Sequence, residues 1–197
     1  MLYSPVAMIE SPPVAKPLPF ARQLSEKAWF NALWFQSTWF CTVLGREDLL
    51  LLSLGLIGLH LVLVPLRRQE IRQLALLGGT GVAVDTVLSL IGVFQFAGGV
   101  LMPGWLVCLW LAFATTPGRS LAFVGARPWL TALAGGLVFP FNYYAGSRLG
   151  AVEFGWPLWQ SLLIMALIWS LVLPALYYMH RRFFSPPEVS HHDPLSG

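Results

Sequence analysis

The sequence predicts an all-α integral membrane protein, a bundle of six transmembrane helices with both termini cytoplasmic, and three observations predict it. Of its 197 residues, 56% are hydrophobic and only 11% are charged, against roughly a quarter charged in a soluble domain. Six windows are almost free of charge and approach the length needed to cross a hydrocarbon core of about 30 Å: 28–44, 49–66, 72–94, 102–117, 129–147 and 157–180. Finally, with six crossings the inner segments hold ten basic residues and the outer loops hold only two, Arg46 and Arg148. That asymmetry is the one the positive-inside rule demands.

Residues 1–27 carry five prolines and no sustained periodicity, and read as a disordered cytoplasmic tail with an interfacial end. They lack the basic-then-apolar layout of a signal peptide. The first span, 28–44, carries Asn31, Gln36, Ser37 and Thr38 among aromatic residues, and the second, 49–66, holds His60 in its inner half.

The third span contains the stretch GGTGVAVDTVLSLIG, with Asp85 close to mid-depth. A carboxylate there costs about 2.5–3.5 kcal/mol on insertion scales and cannot face lipid. Gly78, Gly81, Asp85, Ser89 and Gly92 recur every three or four residues, which makes one small, polar face turned inward. Ala75, Gly79 and Ala83 have the spacing that lets backbones approach closely, so this helix is expected at the centre of the bundle. Gln36 is the first expected partner of Asp85, and His60 the second. Two roles stay open for the acid: a structural hydrogen bond between helices, or proton or ligand handling.

The fourth span is short and lies between Pro103 and Pro117. Without it the later segments change sides and the basic split falls to seven against five, so a crossing is retained. The uncharged stretch before it, FQFAGGVLMPGW, is expected at the membrane interface and suits an amphiphile entering from the lipid side. The fifth span leads into FPFNYYAGSRLGAVEFGWPLW, which brings Asn142, Tyr143 and Tyr144 to the outer interface, followed by Arg148 and Glu153. Arg148 lies between Gly146 and Gly150, where a phosphate or carboxylate could reach the backbone, or else it pairs with Glu153.

The sixth span ends at Arg181 and Arg182, and residues 183–197 read as a second cytoplasmic tail, leaving 28–182 as the transmembrane domain. His191, His192 and Asp193 are adjacent on that tail and make no metal site. Trp29, Trp105, Trp129, Trp156 and Trp159 stand at span ends, as interfacial indoles do. Cys41 and Cys108 both fall within spans and read as unpaired, buried thiols.

Several function classes lack their signatures. No clustered basic face suggests nucleic acid, and no HExxH, GxSxG, CxxC or Walker loop occurs. An intramembrane aspartyl mechanism would need a second acid at depth, but Asp48 sits in a loop and Asp193 in the tail. No cofactor or metal is expected. The candidate site is therefore a ligand-binding or proton-handling one, made of Asp85, Gln36, His60, Asn142, Tyr143, Arg148 and Glu153.

The segments FQSTWF, GTGVAVDTVLSLIGVF, LWLAFATT and YYAGSRLGAVEF resemble those of an uncharacterised, domain-of-unknown-function family of small proteobacterial inner-membrane proteins, over about residues 28–182. Its members are often encoded near enzymes that modify fatty acids, including cyclopropane-synthase-like methyltransferases. The resemblance implies a bacterial inner-membrane, multi-pass location and a link to membrane lipids, with no catalytic residues to carry over. The reading that follows is a lipid-binding, transport or accessory component whose partners are membrane lipids. A lipid-modifying enzyme is a further partner, for which the basic loop RRQEIRQ would be the docking surface if it does more than set orientation. A membrane-embedded acyl-modifying enzyme and a small proton-coupled transporter are the alternatives.

Overall fold

The computed structural model describes residues 19–96 and 102–185. Both expected tails fall largely outside these residues, as do His191, His192, Asp193 and the middle of the uncharged stretch before the fourth span. The described residues are mostly helical, as expected of a strongly apolar chain whose backbone satisfies its own hydrogen bonds. The elements are α1 (Phe20–Ser25), α2 (Ala28–Gly45), α3 (Leu50–Leu63), α4 (Arg67–Gln73), α5 (Gly79–Leu90), α6 (Gly104–Ala114), α7 (Pro128–Arg148) and α8 (Leu158–Phe184). A π-helical turn, Leu74–Gly78, joins α4 to α5 in one rod. Two short strands, β1 (Phe94–Gln95) and β2 (Glu153–Phe154), pair antiparallel.

Among the described residues two helices are long and apolar enough to cross a membrane, Arg67–Leu90 and Leu158–Phe184, against the six expected spans. The expected fourth span is shorter than the sequence suggested: α6 has 11 residues, about 16 Å at 1.5 Å per residue, half a hydrocarbon core. Pro103 starts it and Thr115, Thr116 and Pro117 end it, the threonine hydroxyls bonding back to Ala112 O and Phe113 O. Those three residues are themselves buried. Beyond α6 the chain thus continues through these three residues as irregular backbone enclosed in protein.

The helices run between two ends, each stitched by polar contacts. At one end Glu47 Oε1 accepts the Gly104 N–H that opens α6 (2.9 Å), Arg46 Nη2 donates to Leu149 O (2.8 Å), and β1 pairs with β2. At the other end Asn31 Nδ2 donates to Thr115 Oγ1 (2.9 Å), Tyr177 OH to Leu121 O (2.8 Å) and Gln69 Nε2 to Phe184 O (2.8 Å). Part of the expected N-terminal tail is ordered here too, since α1 packs on α3.

Three expectations about packing need correction. The series Ala75, Gly79 and Ala83 is exposed rather than an interface, and a Cβ on Gly79 would meet nothing. The helix surrounded by neighbours is α6, which packs against α2, α3, α5 and the π-turn. Trp105 is buried in the core instead of lying at an interface, whereas Trp29, Trp129 and Trp159 are exposed.

The closest backbone approach joins α7 to α8, where a Cβ on Gly135 would overlap the carbonyl oxygen of Trp169. Gly136 beside it has ordinary clearance, with Ala166 O at 3.5 Å. Gly135→Ala should therefore lower stability by about 1–3 kcal/mol by forcing the helices apart, with Gly136→Ala near neutral. Thermal unfolding in detergent checks this, and equal midpoints for the two variants would refute the contact.

Candidate functional site

Helical periodicity places Gly81, Asp85 and Ser89 on the inward face of α5, and all three are buried. Asp85 is 0% exposed. Its Oδ2 accepts two hydrogen bonds, from Trp110 Nε1 of α6 at 2.6 Å and from the Tyr143 hydroxyl of α7. Oδ1 is buried with no hydrogen-bond partner among the described residues. One carboxylate oxygen thus ties together three helices.

Gly81 and Asp85 act on the same ring from successive turns. A Cβ on Gly81 would overlap the Trp110 six-membered ring, so glycine gives the indole room to lie flat while the acid one turn on takes its N–H. Trp110 then stacks on Trp169, with centroids 5.0 Å apart, and Trp169 on Phe139 at 4.5 Å. Tyr143 is likewise fixed at its ring, stacked on Phe94 at 5.0 Å. Strand pairing holds Phe94 opposite Phe154.

Trp110 and Tyr143 form part of the wall of an apolar groove of about 500 Å³. Other walls come from Phe35 and Trp39 of α2, Phe113 of α6, and Leu173 and Tyr177 of α8. Along α7 the lining runs from Leu130 to Gly146, about 24 Å of helix rise. Leu133, Leu137 and Val138 line it and are also exposed, so the groove opens sideways on the apolar perimeter. Asp85 does not line the groove. It stands behind the wall and orients the two side chains that do.

At the polar-stitched end near α4, a second group of side chains converges. His60 Nε2 and Glu70 Oε1 are 2.7 Å apart, and the Arg119 fork donates to Glu70 through Nη1 (3.0 Å to Oε1) and Nη2 (2.9 Å to Oε2). Arg119 Nη2 also reaches Glu26 Oε1 at 3.1 Å. Burial by itself lowers the pKa of Arg119, but its hydrogen bonds and charge contacts with Glu70 and Glu26 outweigh this and raise it above the ordinary value. This guanidinium stays charged.

Of the residues singled out from the sequence, the structure brings Asp85 and Tyr143 into contact, and Asn142 lines the groove together with Tyr143. Asn142 Nδ2 donates to Val138 O of its own helix. Gln36 is exposed and is not the partner of Asp85. His60 pairs with Glu70 at the bundle end and not with Asp85. Arg148 and Glu153 are both exposed and form no ion pair, and it is Arg46 that binds the adjacent Leu149 carbonyl. The RRQEIRQ segment is a helix with one side turned inward: Glu70 and Gln73 are buried, and Gln73 Nε2 donates to Ala114 O at 2.7 Å.

Sequence reasoning missed Trp110, Glu70 and Arg119. Trp110 was one indole among nine, and only its i, i+4 counterparts Gly81 and Asp85 hinted at a buried donor. Arg119 looked like one more inner-loop topology charge. Cys41 and Cys108 are free thiols, Cys108 buried, and no cluster of metal-ligating side chains occurs among the described residues.

No curated protein and no solved structure matches the chain. Residues 28–175, from the start of α2 to within α8, match the family described as protein of unknown function DUF2878, and the chain belongs to that family.

Proposed function

We propose that this protein is a six-pass inner-membrane protein, both termini cytoplasmic, that binds the apolar chain of a membrane lipid as a binding, transport or accessory component of lipid metabolism. The observation that carries the reading is the sideways-open apolar groove, whose wall rings are pinned from behind by Asp85. Its volume of about 500 Å³ falls in the range of small-molecule sites, about 300–1,000 Å³. Its run of about 24 Å along α7 approaches the full hydrocarbon thickness, more than one leaflet's chain would fill. An occupant entering from the bilayer exchanges lipid neighbours for aromatic ones, so affinity comes from packing fit and preorganised rings rather than from the hydrophobic effect.

Sidedness supports the six-pass part of the reading. Arg67, Arg119 and Arg181 belong to the end carrying the Glu70 network, while Arg46 and Arg148 belong to the other. A stitched bundle with most of its basic residues at one end fits the positive-inside rule.

Blocking the groove tests the reading. Ala134 lines it on α7 and is only partly buried, so Ala134→Trp fills space without opening the core. Native mass spectrometry of the detergent-purified chain, titrated with a deuterated diacyl phospholipid, should show one saturable adduct, weakened at least about tenfold in the variant. The unfolding midpoint should be unchanged. Equal binding by both proteins would refute the groove as the site.

A further inference from the structure

Beside the groove, at the Glu70 end, lies a second cavity of about 540 Å³, bounded by α4, the 117–126 loop and the last turns of α8. The two cavities are neighbours through one thin partition. Tyr177 lines both, and the loop contributes Leu121 and Val124 to the groove but Ala122 and Gly125 to the chamber. Tyr177 OH donates to Leu121 O, and Gly125 lies so close that a Cβ there would overlap the Tyr177 ring. The partition is one side chain and one strand of loop thick.

Charged side chains line the chamber where none lines the groove, and its charges are unevenly engaged. On one wall Glu26 and Glu70 both converge on Arg119. On the α8 wall Arg181 Nη1 is held only by the Gly125 carbonyl, at 2.6 Å, and has no acidic partner among the described residues. His180 lines the same wall and is 9% exposed. Its Nδ1 is buried without a hydrogen bond among the described residues, as is Nε of Arg119. Gly118 faces His180 with bare backbone, since a Cβ there would stand 2.8 Å from the ring. A cation without a counter-charge, an unpaired imidazole and side-chain-free backbone together suit an anionic oxygen group.

We infer that groove and chamber are two halves of one amphiphile site, the apolar chain lying in the groove and a phosphate headgroup in the chamber against Arg181 and His180, with Tyr177 at the sill between them. This rests on the groove reading above and adds the headgroup to it. The ligand is then an anionic phospholipid taken from the leaflet on the Glu70 side.

The test uses the full chain in detergent and native mass spectrometry with three probes: phosphatidic acid, diacylglycerol with the same acyl chains, and inorganic phosphate. Wild type should bind phosphatidic acid at least about tenfold more tightly than diacylglycerol. In the His180→Gln/Arg181→Gln variant this preference should fall to about threefold or less while diacylglycerol binding is unchanged. Arg181→Lys should keep the preference, because it keeps the charge. Ala134→Trp should weaken both lipids. Equal affinity for the two lipids, both still blocked by Ala134→Trp, would overturn the headgroup assignment and leave the groove reading standing. Lipid binding insensitive to Ala134→Trp would overturn both. Inorganic phosphate that binds the chamber without competing with phosphatidic acid would make it a free-anion site and overturn the amphiphile.

Discussion

Replacing Asp85 by leucine is expected to destabilise the protein by about 3 kcal/mol, since it strands two buried donors at about 1–3 kcal/mol each, moderated by the weaker average worth of hydrogen bonds between membrane helices. The donors are Trp110 Nε1–H and the Tyr143 hydroxyl, and both converge on one carboxylate oxygen. Neither donor makes another hydrogen bond among the described residues, and neither ring is free to turn outward. Trp110 is clamped between Gly81 and the Trp169 stack, and Tyr143 lies on Phe94.

Asp85→Asn is the informative companion, because its amide oxygen accepts both bonds at nearly the same position. It should stay within about 1 kcal/mol of wild type and keep lipid binding. Chemical or thermal unfolding in detergent, followed by tryptophan fluorescence, separates the two variants. An Asp85→Leu protein as stable as wild type would dispose of the positioning role. An Asp85→Asn protein that folds normally but loses lipid binding would show that the acid, and not merely its acceptor oxygen, has a function.

The second large effect is expected at Arg119. Arg119→Met removes the fork that neutralises Glu70 and leaves a buried carboxylate facing only His60. Breaking a buried pair from one side costs about 3–5 kcal/mol. For a chain of this size that corresponds to a fall in melting midpoint of roughly 10 °C, at 2–4 °C per kcal/mol. Replacing both partners, Arg119→Met with Glu70→Leu, should recover most of the loss, since a buried ion pair exchanged for apolar contact is often near neutral. A double-mutant cycle measures the coupling. Strict additivity of the two single losses would mean that the fork does not hold the bundle end together.

Legibility was uneven, and particular residues show why. The inward face of Gly81, Asp85 and Ser89 was readable because helical spacing and the cost of a charge in hydrocarbon both depend on local sequence. Tyr143 was flagged for its place near a span end, and its partnership with Asp85, 58 positions away, was not visible. Gln36 failed as a partner because depth along a helix says nothing about rotation: it shares the span of Asn31 and Thr38, which are buried, yet points outward. The Ala75, Gly79 and Ala83 series failed for the same reason, a permissive spacing with no neighbour on that side. Arg119 reads as one of the ten inner basic residues and Glu70 as part of the basic RRQEIRQ loop, and only the fold of the 115–127 segment beneath α8 makes them a buried network.

By itself the sequence determined that the chain is helical and strongly apolar, that Asp85 and the small residues spaced with it must turn inward, and that its basic residues favour some segments over others. Each of these is readable from composition and local spacing, because an apolar solvent would penalise unpaired backbone and exposed charge without reference to any partner. Tertiary structure alone decided that α6 is a short central post, that Asp85 serves Trp110 and Tyr143 from behind a wall, and that an apolar groove and a charged chamber meet at Tyr177. Those facts depend on which helix faces share a contact, a choice set by close packing among side chains far apart in the chain.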